Sequence, residues 1–447
     1  MHFIETIVNT VNIVLWDYAL LFLLCGTGIF FTFRLKFVQI RKFGEGMKRV
    51  FSCFNLKGEK ADKGGMSSFQ ALTTAIAAQV GTGNIAGAAT AIASGGPGAI
   101  FWMWMSAFFG MATIYAEAIL AQKYKQVDEN GNVTGGPVFY IKAAFKGGFG
   151  KFLAVFFSVA IILALGFMGN MVQSNSIGAS FKTAFGINPL IVGIFCAVFS
   201  AFIFMGGRAR IAAMTEKIVP VMAFLYIIGC SVVVICCHDA IIESFRLIFT
   251  MAFAPQSVAG GIAGVTVKSA IRFGVARGLF SNEAGMGSTP HAHAIAKVDH
   301  PADQGVVAMI GVFIDTFIIL TLTALVIIST GAWTSGLTGA ELAQSAFCSV
   351  FGSFGNIFIA ICMLFFAFST IIGWYFFGET NIKSLLGEKW VKLYSVIVCI
   401  FIAVGSCLKV DLVWNMTDMF NGLMVLPNLL ALLALNKVVK TISNEKD

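Results

Sequence analysis

Long apolar stretches recur along this 447-residue sequence and constrain its fold more than any other feature. A helix needs about 20 consecutive apolar residues to cross the roughly 30 Å hydrocarbon layer of a membrane. With 58% hydrophobic and only 12% charged residues, the chain lacks a surface suited to water. The sequence therefore predicts an all-α membrane protein with eleven transmembrane helices, near 13–33, 68–94, 98–121, 152–176, 189–206, 218–237, 258–281, 305–330, 353–378, 393–408 and 412–436.

Basic residues gather between the first and second predicted spans, in 34–67. Loops rich in Lys and Arg stay in the cytoplasm, so the N-terminus is predicted to lie outside and the tail 437–447 inside the cell membrane. The net charge of +8 is spread over short loops, so it predicts topology and no nucleic-acid partner. The ten cysteines lie mostly within apolar runs without zinc-ligand spacing, and we expect them to be small buried residues.

Ten spans remain when the first is set aside, and they divide into five plus five. An odd number of crossings in each half gives the two halves opposite orientations, which predicts an inverted repeat. The expected organisation is an N-terminal helix with a basic segment, two five-helix repeats and a cytoplasmic tail, at 1–67, 68–257, 258–436 and 437–447. In membrane transporters built from inverted repeats, the first helix of each half is broken near mid-membrane. In this sequence those helices are the spans at 68–94 and 258–281.

The helix at 68–94 carries Gly81 and Gly83 in mid-span. Each glycine weakens a helix by about 1 kcal/mol relative to alanine, so the pair predicts an unwound segment. Unwinding frees amides that suit a carboxylate and carbonyls that suit sodium. The alternative is that Gly83 and Gly87 only allow close helix packing. A match of Gly81 to Ala86 with the dinucleotide-binding pattern is accidental, because no strand precedes it.

The span at 258–281 also holds central glycines, which predicts a second break near Phe273 and Gly274. Lys268, Arg272 and Arg277 are costly in hydrocarbon, so they should line protein or water. The alternative is that these bases pair with acids and hold helices together; the acids in question are Glu117, Glu283 and Asp315.

Four segments resemble the alanine/glycine:cation symporter family: Gln79 to Gly98, with Gly-Thr-Gly-Asn-Ile-Ala-Gly; Ala276 to Ser288; Gly135 to Pro137; and Gly373 to Glu379. The resemblance extends from about 65 to 435. It implies a leucine-transporter-type fold, coupling to sodium or sometimes a proton, and a substrate site among the first, third, sixth and eighth core helices.

By that resemblance the amides of Gly81, Thr82 and Gly83 bind the substrate carboxylate. Freed carbonyls of Phe273, Gly274 and Ala276 bind its ammonium. On the third core helix, Phe167 and Asn170 face the break if the helix has one polar stripe, which Gln173 and Ser174 would continue. For Asn170 the alternative is an interhelical hydrogen bond without ligand.

The resemblance also places the hydroxyls of Ser369 and Thr370 on a sodium ion, completed by the carbonyls of Ala77 and Val80. The alternative is that both hydroxyls bond back to their own helix. Gln79 and Asn84 contact substrate or a second ion. Trp374 either closes the pocket, with Thr370 beside it, or is an interfacial anchor.

We predict symport of alanine or glycine with sodium by alternating access, without catalysis and without a cofactor. A channel would need a continuous polar pathway, and an intramembrane enzyme would need a reactive pair among Glu117, Asp315 and His238. His291 and His293 do not share a helix face, so they predict no metal site. The sequence does not decide whether the coupling ion is sodium or a proton, or whether the substrate is alanine or glycine. It also does not decide the stereochemical preference or the oligomeric state.

Overall fold

The structure, a computed structural model, describes residues 2–53, 66–127, 133–253, 266–408 and 410–446. It is almost entirely helical, with one short antiparallel strand pair, β1 (Gln126–Val127) and β2 (Val133–Thr134). The helices up to residue 253 are α1 His2–Val14, α2 Leu20–Arg34, α3 Val38–Arg41, α4 Phe43–Cys53, α5 Ser68–Gln79, α6 Ala88–Gly95, α7 Gly98–Lys123, α8 Pro137–Ala144, α9 Gly147–Ile161, α10 Asn170–Phe185, α11 Pro189–Phe204, α12 Gly207–Cys236 and α13 Ile241–Phe253.

The helices after residue 265 continue the same architecture. They are α14 Val267–Asn282, α15 Pro290–Ala294, α16 Pro301–Val312, α17 Thr321–Ser329, α18 Gly339–Phe351, α19 Phe354–Leu386, α20 Val391–Gly405, α21 Val410–Ala434 and α22 Asn436–Asn444. The predicted second repeat begins at 258, so its first residues lie outside the described part of the chain.

Within the described ranges, four segments form wide, π-helical turns: Leu15–Ala19, Gly83–Gly87, Ile162–Gly169 and Phe313–Leu320. Gly83–Gly87 leads into α6 after the interruption, and each of the others joins two helices end to end. Two of the four turns carry residues that the sequence placed at the site: Gly83–Gly87 contains Asn84, and Ile162–Gly169 contains Phe167 and ends just before Asn170. Leu15–Ala19 lies between α1 and α2, and Phe313–Leu320 lies between α16 and α17. Wide turns of this kind are rare and frequently lie at functional sites.

Seven helices in the described ranges are long and apolar enough to cross a membrane: Glu5–Arg34, Gly98–Lys123, Gly147–Phe185, Gly207–Cys236, Pro301–Ser329, Phe354–Leu386 and Val413–Ala434. The shorter apolar helix α11 exposes a stripe of large side chains that includes Ile191, Phe195, Val198 and Phe202. Such a surface suits contact with lipid. The chain is thus a multi-pass membrane protein, while the count of eleven and the repeat division stay predictions.

The helix that carries the glycine pair lies at the centre of the molecule. Every residue from Ala71 to Gln79 on α5 is buried, and so are Gly83 to Ala89 after it. α5 packs against α12 and α19. The part of the same interrupted helix that follows the break, Gly83–Gly87 with α6, packs against α14 and α18. The sequence did not predict α13 or α18, because each has only 13 residues and is too short to be a span.

Candidate functional site

The first interruption follows Gln79, where the glycines predicted it. Val80 leaves the helix with ψ at 84°. The amide of Gly81 donates to the Asn84 side-chain oxygen at 3.1 Å, and the amide of Thr82 donates to Gln173 Oε1 at 3.2 Å. The break therefore frees backbone donors, and side-chain oxygens accept from them.

Gly81 and Gly83 also allow two helices to approach this break closely. A side chain at Gly83 would place its Cβ 2.9 Å from Ser281 Cα, and one at Gly81 would place it 3.0 Å from Thr370 Cβ. At Gly87 the nearest atom would be 3.7 Å away, so that glycine is under no such constraint. Gly83 thus allows close packing at the start of its helical turn, while the unwound link runs from Val80 to Thr82 just before it.

The predicted position of the second break was wrong. α14 is continuous from Val267 to Asn282, so Phe273, Gly274 and Ala276 lie within a helix and do not have freed carbonyls. Gly274 is required for packing, because its Cβ would lie 2.5 Å from the Ala99 carbonyl oxygen. The sequence cannot distinguish a packing glycine from a helix-breaking one.

The actual second break runs from 283 to 289, between α14 and α15. Glu283, Gly285 and Gly287 adopt positive φ angles of 57°, 93° and 81°. The Glu117 carboxylate on α7 accepts the amides of Gly285 and Gly287, each at 3.0 Å. Because a side chain binds the freed amides, this loop can be buried in the membrane interior.

Two further side chains complete the support of this loop. Asn428 donates to Glu117 at 2.6 Å and to the carbonyl of Gly285 at 2.9 Å, and Tyr140 donates to Asn428. This role of Glu117 was not predicted from the sequence. A carboxylate within an apolar span was the available signal.

Trp374 is buried at this second break, so it is not an interfacial anchor. Its indole nitrogen donates to Glu283 at 2.5 Å, and its ring meets Phe280 edge-on. Glu283 also accepts a hydrogen bond from Ser288. A Cβ at Gly169 would lie 2.5 Å from the Trp374 ring, which places the tryptophan against the third core helix.

Ser369 and Thr370 reach the end of α5. Thr370 donates to the Ala77 carbonyl at 2.8 Å, and the Ser369 hydroxyl lies 3.5 Å from the same oxygen. Both hydroxyls also donate to the Phe366 carbonyl of their own helix, Ser369 at 2.8 Å and Thr370 at 3.1 Å, so the back-bonding alternative is present as well. The structure thus brings three of the predicted sodium ligands together, and Val80 follows Ala77 at the same helix end.

The third core helix reaches the break through Gln173, which the sequence placed on its polar stripe but not among the ligands. Gln173 reaches the break, whereas Asn170 donates to Gly166 in its own helix at 3.0 Å and leaves its side-chain oxygen without a partner. The Phe167 ring packs on Tyr394 and Phe401, so the structure does not bring it to the break.

Gln79 and Asn84 both hydrogen-bond to a buried polar cluster at the end of α14 and on the turn Phe313–Leu320. Gln79 donates to the carbonyl of Asn282 at 2.8 Å, and its own side-chain oxygen has no partner. Asn84 donates to Asp315 Oδ1 at 2.7 Å. Ser281 lies 3.0 and 3.1 Å from the two oxygens of the same carboxylate.

The basic residues of α14 have partners other than the acids proposed from sequence. Lys268 and Arg272 pair with Asp17 of the N-terminal helix at 3.1 and 2.9 Å. Arg277 makes two hydrogen bonds to Asp418, at 2.8 and 2.9 Å. The alternative that these bases pair with acids is therefore confirmed, but the acids are Asp17 and Asp418. They are not Glu117, Glu283 or Asp315, which the sequence suggested.

A cavity of about 370 Å³ lies beside these ion pairs, and its lining includes Phe273, Ala276 and Arg277. The structure thus places two of the predicted substrate ligands on this cavity, away from any unwound backbone.

His291 and His293 hydrogen-bond to Asn381 and Gln304 respectively.

Comparisons with known proteins agree with a transporter. A model of the sodium:alanine symporter family matches residues 1–445. The sodium/alanine symporter of Methanococcus maripaludis is 44% identical over 439 residues, covering 97% of this chain and 95% of that protein. A Bacillus subtilis protein described as a probable sodium/glutamine symporter is 44% identical over 441 residues, covering 98% and 90%.

The fold is also similar to that of a solved transporter. The manganese transporter of Eremococcus coleocola, in complex with an aromatic bis-isothiourea compound, superposes with a TM-score of 0.55. The match covers 82% of this chain and 76% of that one at 14% sequence identity. At that identity the likeness concerns the fold alone.

Proposed function

Because the chain belongs to the sodium:alanine symporter family, we propose that it imports alanine or glycine together with sodium by alternating access. It is a transporter and not an enzyme. The observation that carries the proposal is the first break, where the Gly81 and Thr82 amides lie close to α10 and α19. Such a break exposes backbone groups that bind a small zwitterion and a cation.

The substrate carboxylate is proposed to bind the amides of Gly81, Thr82 and Gly83. Support comes from Gln173 and Asn84, whose side-chain oxygens accept from two of these amides where a carboxylate would accept. The positive end of a helix dipole also favours an anion there.

The ammonium is proposed to face the end of α14. α14 ends at Asn282, and its last carbonyls have no partner within the helix. Ser281 lies against Gly83, so this helix end adjoins the first break. In this proposal the carbonyls at the end of α14 take the role that the sequence gave to Phe273, Gly274 and Ala276.

Sodium is proposed to bind the carbonyls of Ala77 and Val80 with the hydroxyls of Ser369 and Thr370. Hard cations prefer oxygen ligands, and these groups supply only oxygen. Binding there would join α5 to α19 and so favour one arrangement of the two helices over the other.

A pocket of limited volume is proposed to select alanine and glycine. Gly81 and Gly83 bring backbone close to the ligand, while Phe280 and Trp374 adjoin the second break. Overpacking typically costs about 1–3 kcal/mol, or roughly five- to a hundredfold in affinity. Relatives with alanine and with glutamine in their descriptions are equally similar to this chain, so overall identity does not select the substrate.

Uptake by purified protein in liposomes tests this function. Labelled alanine should accumulate under an imposed sodium gradient, and not under a proton gradient or without a gradient. Unlabelled glycine should compete fully, and leucine and glutamine should not. Uptake driven only by protons would contradict sodium coupling, and equal competition by leucine would contradict the small pocket.

The orientation is proposed to place the N-terminus outside and residues 34–67 in the cytoplasm. Gly44→Cys lies on an exposed surface of α4, and Ser335→Cys lies in an exposed loop after α17. In a background with Cys236 and Cys407 replaced by serine, an impermeant thiol reagent added to intact cells should label only the second variant. The opposite labelling would invert the topology.

A further inference from the structure

The membrane span Glu5–Arg34 is followed by a strained turn that leads from α2 into α3. Lys36 and Phe37 adopt positive φ angles of 54° and 55°, although neither residue is glycine. The left-handed region is unfavourable for a residue with a side chain, and such a residue stays there only where the surrounding structure holds it. The turn therefore needs support from its neighbours.

Buried contacts on the inner side of the turn supply this support. The Phe37 amide donates to the Thr32 carbonyl at 2.7 Å, and the Gln39 side chain donates to the Thr32 hydroxyl at 2.8 Å. Leu35 and Val38 are buried, and α3 packs against α7. Because the inner side is fixed to the protein, the side chains on the outer side are held in place as well.

The outer side of the turn exposes large apolar side chains. Phe33 is 65% exposed, Ile40 is 61% exposed and Phe37 is 37% exposed. The rings of Phe33 and Phe37 meet edge to face with their centroids 5.2 Å apart, so the end of α2 and the start of α3 share an apolar surface. The preceding span also exposes Phe22 and Phe30. Lipid chains that cover this span can therefore extend onto the turn.

Basic side chains flank this apolar surface. Lys36 and Arg41 are exposed, and Arg34 is half-buried. Within the described ranges neither Arg34 nor Lys36 pairs with an acid, and the Arg34 Nε atom has no hydrogen-bond partner. Glu45 is the acid nearest to them in the sequence, and it pairs with Arg49. The described part of the chain therefore supplies no counter-charge for Arg34 and Lys36.

An anionic phospholipid matches this combination of basic and apolar side chains. Its phosphate is an anion that Arg and Lys bind, and its acyl chains cover apolar side chains at the end of a span. Long basic side chains can lie along apolar surface and keep their charged ends at the level of the headgroups. A soluble anion would leave the exposed rings of Phe33 and Phe37 in water, and a zwitterionic lipid would bring a positive charge towards the bases.

We propose that the turn after the N-terminal span binds the headgroup of an anionic phospholipid. Arg34 and Lys36 contact the phosphate, and the acyl chains lie against Phe33, Phe37 and Ile40. In the proposed orientation this surface lies at the cytoplasmic leaflet, whose anionic lipids give the membrane a negative surface potential. This lipid site goes beyond the proposed transport of amino acids and does not depend on the substrate or the coupling ion.

Native mass spectrometry of the purified protein in detergent, without amino acid or sodium, tests this site. The parent should retain phosphatidylglycerol at least tenfold more tightly than phosphatidylcholine with the same acyl chains. Each base near a headgroup contributes about fivefold in affinity, so Arg34→Gln with Lys36→Gln should bind phosphatidylglycerol about thirtyfold more weakly. Lys437→Gln with Lys440→Gln is the matched control and should bind like the parent. It removes the same charge from α22, whose described residues expose no large apolar side chain.

The melting temperature in detergent shows whether the double variant at the turn is folded. If it is not, Lys36→Gln alone should bind phosphatidylglycerol about fivefold more weakly than the parent. Equal retention of phosphatidylglycerol by the parent and the variant overturns the lipid site, and so does equal retention of the two lipids by the parent. A variant that changes the oligomeric state but keeps its lipid overturns it as well, because the surface then binds a second copy of the chain. Uptake of alanine in liposomes tests the proposed function separately.

Discussion

The two interruptions in the buried helices differ in length, conformation and support. The first is the short link from Val80 to Thr82, and its amides bind nearby side-chain oxygens of Asn84 and Gln173. The second spans 283–289, includes three residues at positive φ, and binds a carboxylate from α7. A helix in lipid can therefore be interrupted only where another group satisfies the freed backbone.

Glu283 shows how strongly the second break depends on its neighbours. A residue other than glycine in the left-handed region is under strain, of order 1–3 kcal/mol. Trp374 and Ser288 bind its side chain and fix it there. The first break contains no positive φ angle and needs only glycine and two side-chain acceptors.

Removing the support of the second break should have the largest effect. Glu117→Ala leaves two buried amides without an acceptor, at about 1–3 kcal/mol each. We expect the free energy of unfolding to fall by about 2–6 kcal/mol, measured as a lower melting temperature in detergent. Glu117→Gln should lower the free energy of unfolding by less, since it keeps one acceptor oxygen. The exposed Glu341→Gln is the control and should not change the free energy of unfolding. Equal melting temperatures for all three would contradict the role of Glu117.

Filling the first break should abolish alanine binding and leave the fold intact. Gly83→Val places a branched side chain against the Ser281 backbone, which cannot rotate away. A cost of about 3 kcal/mol corresponds to roughly a hundredfold loss of affinity. Binding of labelled alanine measures it, with Gly87→Ala as the matched control, since its nearest contact would be 3.7 Å. Comparable affinity in both variants would show that close approach at Gly83 is unimportant.

Gly274 tests the corrected position of the second break. If the chain unwound there, alanine would be tolerated, whereas packing against the Ala99 carbonyl predicts a clash. Gly274→Ala should lower the free energy of unfolding by about 1–3 kcal/mol. Gly44→Ala, which meets no atom within 4 Å, should leave it unchanged or slightly higher. Thermal denaturation of the two variants distinguishes packing from unwinding at Gly274. A higher melting temperature for Gly274→Ala than for the parent would support unwinding.

Replacing both hydroxyls at the first break should have the smallest effect on folding. Ser369→Ala with Thr370→Ala removes two oxygens near Ala77, and we expect the sodium half-saturation for alanine uptake to rise about tenfold. Thr380→Ala removes a hydroxyl that bonds only to Phe376 in the same helix and should leave it unchanged. If the double variant keeps the parent's sodium dependence, sodium does not bind there.

Local sequence predicted the first break because Gly81 and Gly83 lie two positions apart in the middle of an apolar span, and an unwound segment frees backbone amides. The family resemblance assigned the hydroxyls of Ser369 and Thr370 to sodium, and the structure places them beside the Ala77 carbonyl. The second break was misplaced, since Gly274 packs against α7 and looks identical in sequence to a glycine that ends a helix. The Asn84–Asp315 contact joins residues 231 positions apart, and no local pattern reports such a pairing.

The wide turns have a consequence for how such a sequence can change over time. Each holds one residue more than an ordinary helical turn, and one residue corresponds to about 100° of rotation about the helix axis. Deleting a single residue from Phe313–Leu320 would turn α16 relative to α17 and move the side chains of one of them to a different face. Substitutions preserve this rotational phase, but a one-residue gap does not. Variation within these turns should therefore proceed by exchange of residues at constant length.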